Sequence, residues 1–121
     1  MYQAESGFTL VELMVVMTIV AILTAIAVPE YQQYRARSFD LRALSDLRNV
    51  AIAEEAYFLD TERYLSCSDS ACSVLPGVVA LSQGVTLQIT ASSTSFTGTA
   101  THVQGTGKNY SWDSIGGGLL R

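Results

Sequence analysis

Residues 8–28 read FTLVELMVVMTIVAILTAIAV, twenty-one residues with a single charge, Glu12. As a helix rising about 1.5 Å per residue, the run is roughly 31 Å long, enough to cross a hydrocarbon core. It predicts a membrane-type helix at the front of the chain. A secretory signal peptide is the competing reading, because Ala25-Ile26-Ala27 has the small-x-small form of a cleavage site. Against it, the run exceeds the about 7 to 15 residues of a usual signal core, and the preceding MYQAESG carries no Lys or Arg. Glu12 is the residue that anchoring leaves unexplained. A carboxylate in hydrocarbon costs on the order of a few kcal/mol and is kept for a partner or a function. Either it awaits a positive group, which no nearby Lys or Arg supplies, or it lies near the helix end and snorkels to the interface.

Working outward, the 121 residues bound the chain to one domain. Seven Lys and Arg stand against eleven Asp and Glu, for a net charge of -4, with no basic cluster longer than the Arg35, Arg37 pair. That balance argues against coating nucleic acid, and no direct nucleic-acid binding is expected. Pro29 ends the apolar run. It has no backbone N–H and predicts a kink or local unwinding before the helix resumes. From Asp40 to about Asp60, Leu44, Leu47, Ala51 and Phe58 recur at helical spacing, with Arg42, Asp46, Asn49 and Asp60 on the other side. This is an amphipathic half that covers something with one face.

Beyond Tyr64 the composition turns to Ser, Thr, Gly and Val. Gly84 to Ala91 alternates Val85, Leu87 and Ile89 with Thr86, Gln88 and Thr90, as a half-buried strand does. Ser95 to Val103 and Asn109 to Asp113 read as two more strands, divided by Gly-rich turns. The predicted fold is α+β: a long N-terminal helix, apolar then amphipathic and kinked near Pro29, packed on an antiparallel sheet of three to four strands. So small a body has a marginal core, which raises the value of a crosslink. Cys67 and Cys72 lie in a polar loop, and an even cysteine count in an exported body favours a disulfide worth roughly 2 kcal/mol. A metal site is the alternative, but two Cys and the lone His102 leave a tetrahedral site short of a ligand. The absence of C-x-x-C-H in the sequence removes covalently attached haem.

No catalytic constellation appears in the sequence, so no enzyme and no cofactor is expected. His102 reads as a surface residue of a Thr-rich strand. Glu54, Glu55, Asp60 and Glu62 read as a solvated face at the helix end. Asn109-Tyr110-Ser111 fits a glycosylation acceptor, but Tyr110 falls in a predicted strand; Ser92 to Ser95 form the better exposed loop.

Gly7 followed by FTLVELMVVMTIVAILTAIAVPEY resembles the N-terminus of the type IV pilin and type II secretion pseudopilin family. The match combines Gly, Phe, a Glu five residues after that Gly, a long apolar run and Pro29. The resemblance implies a leader over 1–7, a membrane and filament-core helix over 8–29, and a remaining body over 30–121. It further implies cleavage between Gly7 and Phe8 by a prepilin peptidase, N-methylation of the new Phe8 terminus, and a salt bridge between Glu12 and a neighbouring copy's Phe8 amine. The implied partners are the inner membrane before assembly, the inner-membrane assembly machinery, and the chain itself as a homopolymer. The implied location is the inner membrane, then an extracellular filament. Ala21, Ala25 and Ala27 would let neighbouring helices approach closely.

Two features depart from the family pattern. Its leaders usually carry Lys or Arg before the Gly, whereas MYQAESG has only Glu5; the expectation is that translation starts upstream. Arg35, Arg37, Arg42 and Arg48 would by the positive-inside rule favour a cytoplasmic body, so an external body rests on the resemblance. Seven of the eleven aromatics, Phe8, Tyr31, Tyr34, Phe39, Tyr57, Phe58 and Tyr64, lie on or beside the helix. They admit an electron-carrying filament, proposed for some pilins, or simple packing and interface anchoring. A pilus subunit, a secretion pseudopilin, an electron-carrying pilin and a membrane-anchored enzyme are the readings that the rest of the molecule must sort.

Overall fold

The computed structural model describes residues 3–120. A helix, α1, runs over Leu10–Thr61 and is followed by strand β1 (Cys67–Ser68), a 3₁₀ helix (Asp69–Val74), β2 (Val85–Ala91), β3 (Phe96–His102), β4 (Tyr110–Asp113) and β5 (Gly118–Leu120). The chain divides between Tyr34 and Arg35 into two compact units.

In the first unit, α1 remains helical through Pro29. Proline's missing N–H leaves the carbonyl of Ala25, four residues back, without its helical donor. Residues 3–34 are all exposed. The polar side chains inside the apolar stretch look after themselves: Thr18 Oγ1 donates to the Met14 carbonyl at 2.8 Å and Thr24 Oγ1 to the Val20 carbonyl at 2.7 Å. Hydroxyls bonded this way need no outside partner in an apolar medium.

In the second unit, five strands form one antiparallel meander in the order β1-β2-β3-β4-β5. β2, β3 and β4 fall within the three stretches expected to be strands, 84–91, 95–103 and 109–113. β1 and β5 raise the count above the expected three to four: a two-residue strand shows no alternation, and the Gly116-Gly117-Gly118 run that opens β5 reads as a turn. Val85, Leu87 and Ile89 of β2 and Phe96 and Ala100 of β3 are buried together with Ala43, Leu47, Val50 and Ala51 of α1. Gly98 sits where a side chain would collide; a Cβ there would lie 2.6 Å from Ile89 Cδ1 and 3.0 Å from Leu47 Cδ1. Its bareness lets the helix approach the sheet.

The buried stripe keeps Leu47 and Ala51 of the expected one and departs from it at Leu44 and Phe58. It is built on small residues, Ala43, Ala51 and Ala53, beside Leu47 and Val50, while Leu44 and Phe58 are only half-buried. Small side chains admit close approach, and large ones at the stripe's edge close its sides. Asp46, assigned to the solvent side by its charge, is instead buried, as are Asp40 and Glu54. Each fastens a loop to the helix. Asp40 accepts the Thr106 N–H at 3.0 Å and its hydroxyl at 2.6 Å. Asp46 accepts the Ser82 N–H at 2.8 Å, and Glu54 Oε2 accepts the Leu65 N–H at 2.9 Å. Loop amides buried against a helix require acceptors, and these acids supply them. Glu54 is therefore no part of a solvated face. Its Oε1 has no hydrogen-bond partner among the described residues, and burial pushes its carboxyl above the ordinary value of 4.5, with the Leu65 N–H opposing and Glu55 adding to the rise.

His102 is likewise corrected: it is buried, not a surface residue. Its Nε2 pairs with the Gln83 carbonyl at 2.9 Å and its Nδ1 accepts the Gln104 N–H at 3.0 Å, an arrangement that assigns the proton to Nε2. The helix stops at Thr61 because Glu62 takes a left-handed φ of 56°, its N–H donating to the Phe58 carbonyl at 2.7 Å. Just beyond, Cys67 and Cys72 form a disulfide with their Cα atoms 5.1 Å apart, tying β1 to the 3₁₀ turn.

Candidate functional site

The residues singled out in the sequence gather at the start of α1. Gly7 and Phe8 precede the helix in an exposed stretch; Gly7 has open space around it and Phe8 is 92% exposed. The peptide bond between them is thus sterically accessible. Thr9 stands at the N-cap position and Glu12 three residues on, inside the first turn. The Glu12 N–H donates to Thr9 Oγ1 at 3.2 Å, while the Thr9 N–H donates to Glu12 Oε2 at 3.1 Å. This reciprocal pair is a capping box, which satisfies two of the helix's four orphan N–H groups.

The box has a sequence signal, Thr-x-x-Glu before an apolar run, that is weaker than the charge of Glu12 itself. It changes what Glu12 is for. A carboxylate at a helix N-terminus meets the positive end of the helix dipole, so Glu12 has a role within its own helix. Only one of its oxygens is used by the box.

The aromatic candidates do not form one file. Phe39 stacks on His102 at 4.6 Å between ring centroids, with the guanidinium groups of Arg35 and Arg42 at 5.6 and 5.0 Å from its ring. Phe58 stacks on Tyr64 at 4.6 Å, and Tyr64 meets Phe96 at 5.0 Å. Phe96, fully buried in β3, was not among the candidates. Tyr57 packs against the core, whereas Phe8, Tyr31 and Tyr34 are exposed. Cys67 and Cys72 are spent on their disulfide, and both His102 nitrogens are engaged, so neither offers a free ligand atom in this state.

Residues 2–28 match the prokaryotic N-terminal methylation motif. The chain is 44% identical over 64 residues to a fimbrial protein of Pseudomonas aeruginosa, covering 53% of this chain and 42% of that one. It is 43% identical over 67 residues to the type IV major fimbrial protein FimA of Dichelobacter nodosus, covering 55% and 42%. With the type IV major pilin protein PilA of Myxococcus xanthus it shares 41% identity over 58 residues, 48% of this chain and 26% of the other. The matched stretch thus spans less than half the length of each of these relatives.

Proposed function

We propose that this chain, with its type IV prepilin N-terminus and its likeness to fimbrial proteins, is a pilin. It is a structural subunit that waits in the inner membrane and polymerises through α1 into an extracellular filament. The observation that carries the proposal is the junction at Gly7–Glu12: an accessible Gly7–Phe8 bond, then a wholly exposed apolar helix whose single carboxylate caps its own first turn. Cleavage by a prepilin peptidase after Gly7 frees the Phe8 amine, which is then methylated and keeps a positive charge. Glu12 of a neighbouring subunit receives that amine.

The box and the salt bridge are compatible, and their magnitudes rank them. Losing an N-cap costs about 1 kcal/mol. Breaking one side of a buried ion pair costs about 3 to 5 kcal/mol, because the surviving charge is left without a partner. Glu12 is therefore a local cap in the precursor and an assembly determinant in the polymer. Between lipid and a protein bundle the apolar surface gains little from transfer, so packing and the Glu12 pairing set the register. The ring contacts of Phe58, Tyr64 and Phe96, and of Phe39 with His102, favour packing over electron transfer as the work of the aromatics.

Immunogold imaging of cells that express the chain tests the proposal. Long surface fibres containing it are expected. Its confinement to the cell envelope, with loss of protein secretion on deletion, would assign it to a type II secretion apparatus instead.

A further inference from the structure

Strand β2, VTLQITA, has the composition that makes an open strand edge hazardous: seven residues with no charge, no proline and no glycine. It lies one strand in from the sheet edge, under a cover only two residues long. β1 sets Cys67 against Ile89 and Ser68 against Gln88 and reaches no further. Side chains and one turn close the rest. The Leu87 N–H donates to Asp69 Oδ1 at 2.8 Å, the Ala91 N–H to Ser66 Oγ at 2.8 Å, and the Val85 N–H to the Ser82 carbonyl at 3.2 Å. A carboxylate or a hydroxyl takes up an edge amide as a strand would, but offers no ladder to a further chain. Three of the four closures thus come from residues 66–69. Asp69 reaches Leu87 from a left-handed φ of 46°, inside the ring that the Cys67–Cys72 disulfide closes. The approach to that ring is pinned to α1 by the Leu65 N–H on Glu54 Oε2.

We propose that the disulfide ring is a redox-held cover on the edge of β2, and that β2, once uncovered, pairs with β2 of a second copy. A dithiol opens the ring: the S–S bond breaks, each sulfur takes one electron and one proton, and the dithiol leaves as its own cyclic disulfide. Released from the ring, residues 66–69 regain chain freedom and Asp69 leaves Leu87. Leu87 and Ala91 send their N–H groups to this edge, so by alternation Val85 and Ile89 do as well. Two antiparallel copies centred on Gln88 therefore overlap along the whole strand. Leu87 of each exchanges both backbone bonds with Ile89 of the other, Val85 does so with Ala91, and Gln88 faces Gln88. No charge opposes the approach, because β2 carries none. The two-fold axis through Gln88 keeps the buried faces on one side, so the contact closes as a dimer and does not propagate. With the ring in place, the same edge is shut.

The test uses the full-length chain in detergent micelles. In dilute, monomeric samples, amide hydrogen exchange is followed before and after dithiothreitol. Leu87 and Ala91 should exchange several-fold faster once the ring is reduced, while Gln88 and Thr90, whose N–H groups point to β3, keep their rates. In concentrated samples Gln88→Cys is oxidised in two backgrounds. With Cys67 and Cys72 both replaced by Ser it should form a covalent dimer, because facing residues of a non-hydrogen-bonded pair lie within disulfide reach. With the native ring intact it should stay monomeric. Thr90→Cys, about 13 Å along the strand from its own counterpart, should stay monomeric in both. Unchanged rates at Leu87 and Ala91, or equal acceleration of all four amides as in general unfolding, would overturn the cover. A Gln88→Cys dimer with the ring intact would do the same. No dimer without the ring, or a Thr90→Cys dimer as abundant as that of Gln88→Cys, would overturn the pairing. Each of these results leaves the pilin reading standing.

Discussion

Two stretches of the same helix handle polar atoms in opposite ways. Along residues 10–28 the side chains face outward, the two threonines bond back to their own turns, and the lone carboxylate caps the helix start. Along residues 40–54 three acids turn inward, and each holds a loop amide. The second stretch completes its contacts inside the chain. The first bonds its polar side chains within its own turns and leaves its apolar side chains exposed. Under the proposed function, the difference separates a region that folds from a region that assembles.

The comparison breaks most sharply at Phe96, which is fully buried against that inner face. Phe96→Ala should destabilise the second unit by about 3 to 5 kcal/mol, whereas Phe58→Ala, at the half-buried edge, should cost clearly less. Denaturant unfolding of the two variants checks the order; equal losses would place the core elsewhere. A smaller effect belongs to the disulfide. Reducing Cys67–Cys72 should lower stability by roughly 2 kcal/mol, as expected for releasing so short a loop, and leave the helix signal in circular dichroism unchanged.

The smallest effect is a pH slope. Burial raises the Glu54 carboxyl, so between its ordinary value of 4.5 and its higher folded value the native state binds the extra proton. Stability contributed by this group is therefore greatest at low pH and declines as pH rises through the folded value, the reverse of a salt-bridged carboxylate. Glu54→Gln should flatten that part of the stability profile, read as the melting temperature against pH. A variant with the parent's slope would assign it to other groups.

Much of this was legible. The strand at Val85–Ile89 follows from alternation, because a half-buried strand must repeat every two residues, and those around Phe96–Ala100 and Tyr110 are set off by the Gly-rich turns that divide them. The helix that covers them follows from its apolar spacing: Leu47 and Ala51 of the expected stripe are buried, whereas Leu44 and Phe58 lie at its edge and Ala43, Val50 and Ala53 complete the buried face. The buried acids were not legible. Asp40, Asp46 and Glu54 look like solvent residues until the loops that need their oxygens are in place, and those loops lie up to 66 residues away. At the candidate site, Gly7, Phe8 and Glu12 were readable from composition and resemblance. Thr9 was readable too, as a cap, but its signal is weak beside that of a charge in an apolar run.

The central claim is that Glu12 serves assembly beyond its role in its own helix, and Thr9 allows the two roles to be separated. The measurement is the ratio of filament-incorporated to membrane-bound subunit in strains expressing only Glu12→Ala or only Thr9→Val. Thr9→Val removes the cap, worth about 1 kcal/mol, and leaves the carboxylate for a neighbour's amine. Glu12→Ala removes the carboxylate and the bond it accepts from the Thr9 N–H, while the N–H of residue 12 still donates to Thr9 Oγ1. The account predicts a cleaved, membrane-inserted Glu12→Ala subunit that fails to enter filaments, a Thr9→Val subunit that polymerises with only a modest loss, and Glu12→Gln between them. Wild-type incorporation for Glu12→Ala, or a Thr9→Val defect as deep as that of Glu12→Ala, would contradict it and reduce Glu12 to a helix cap.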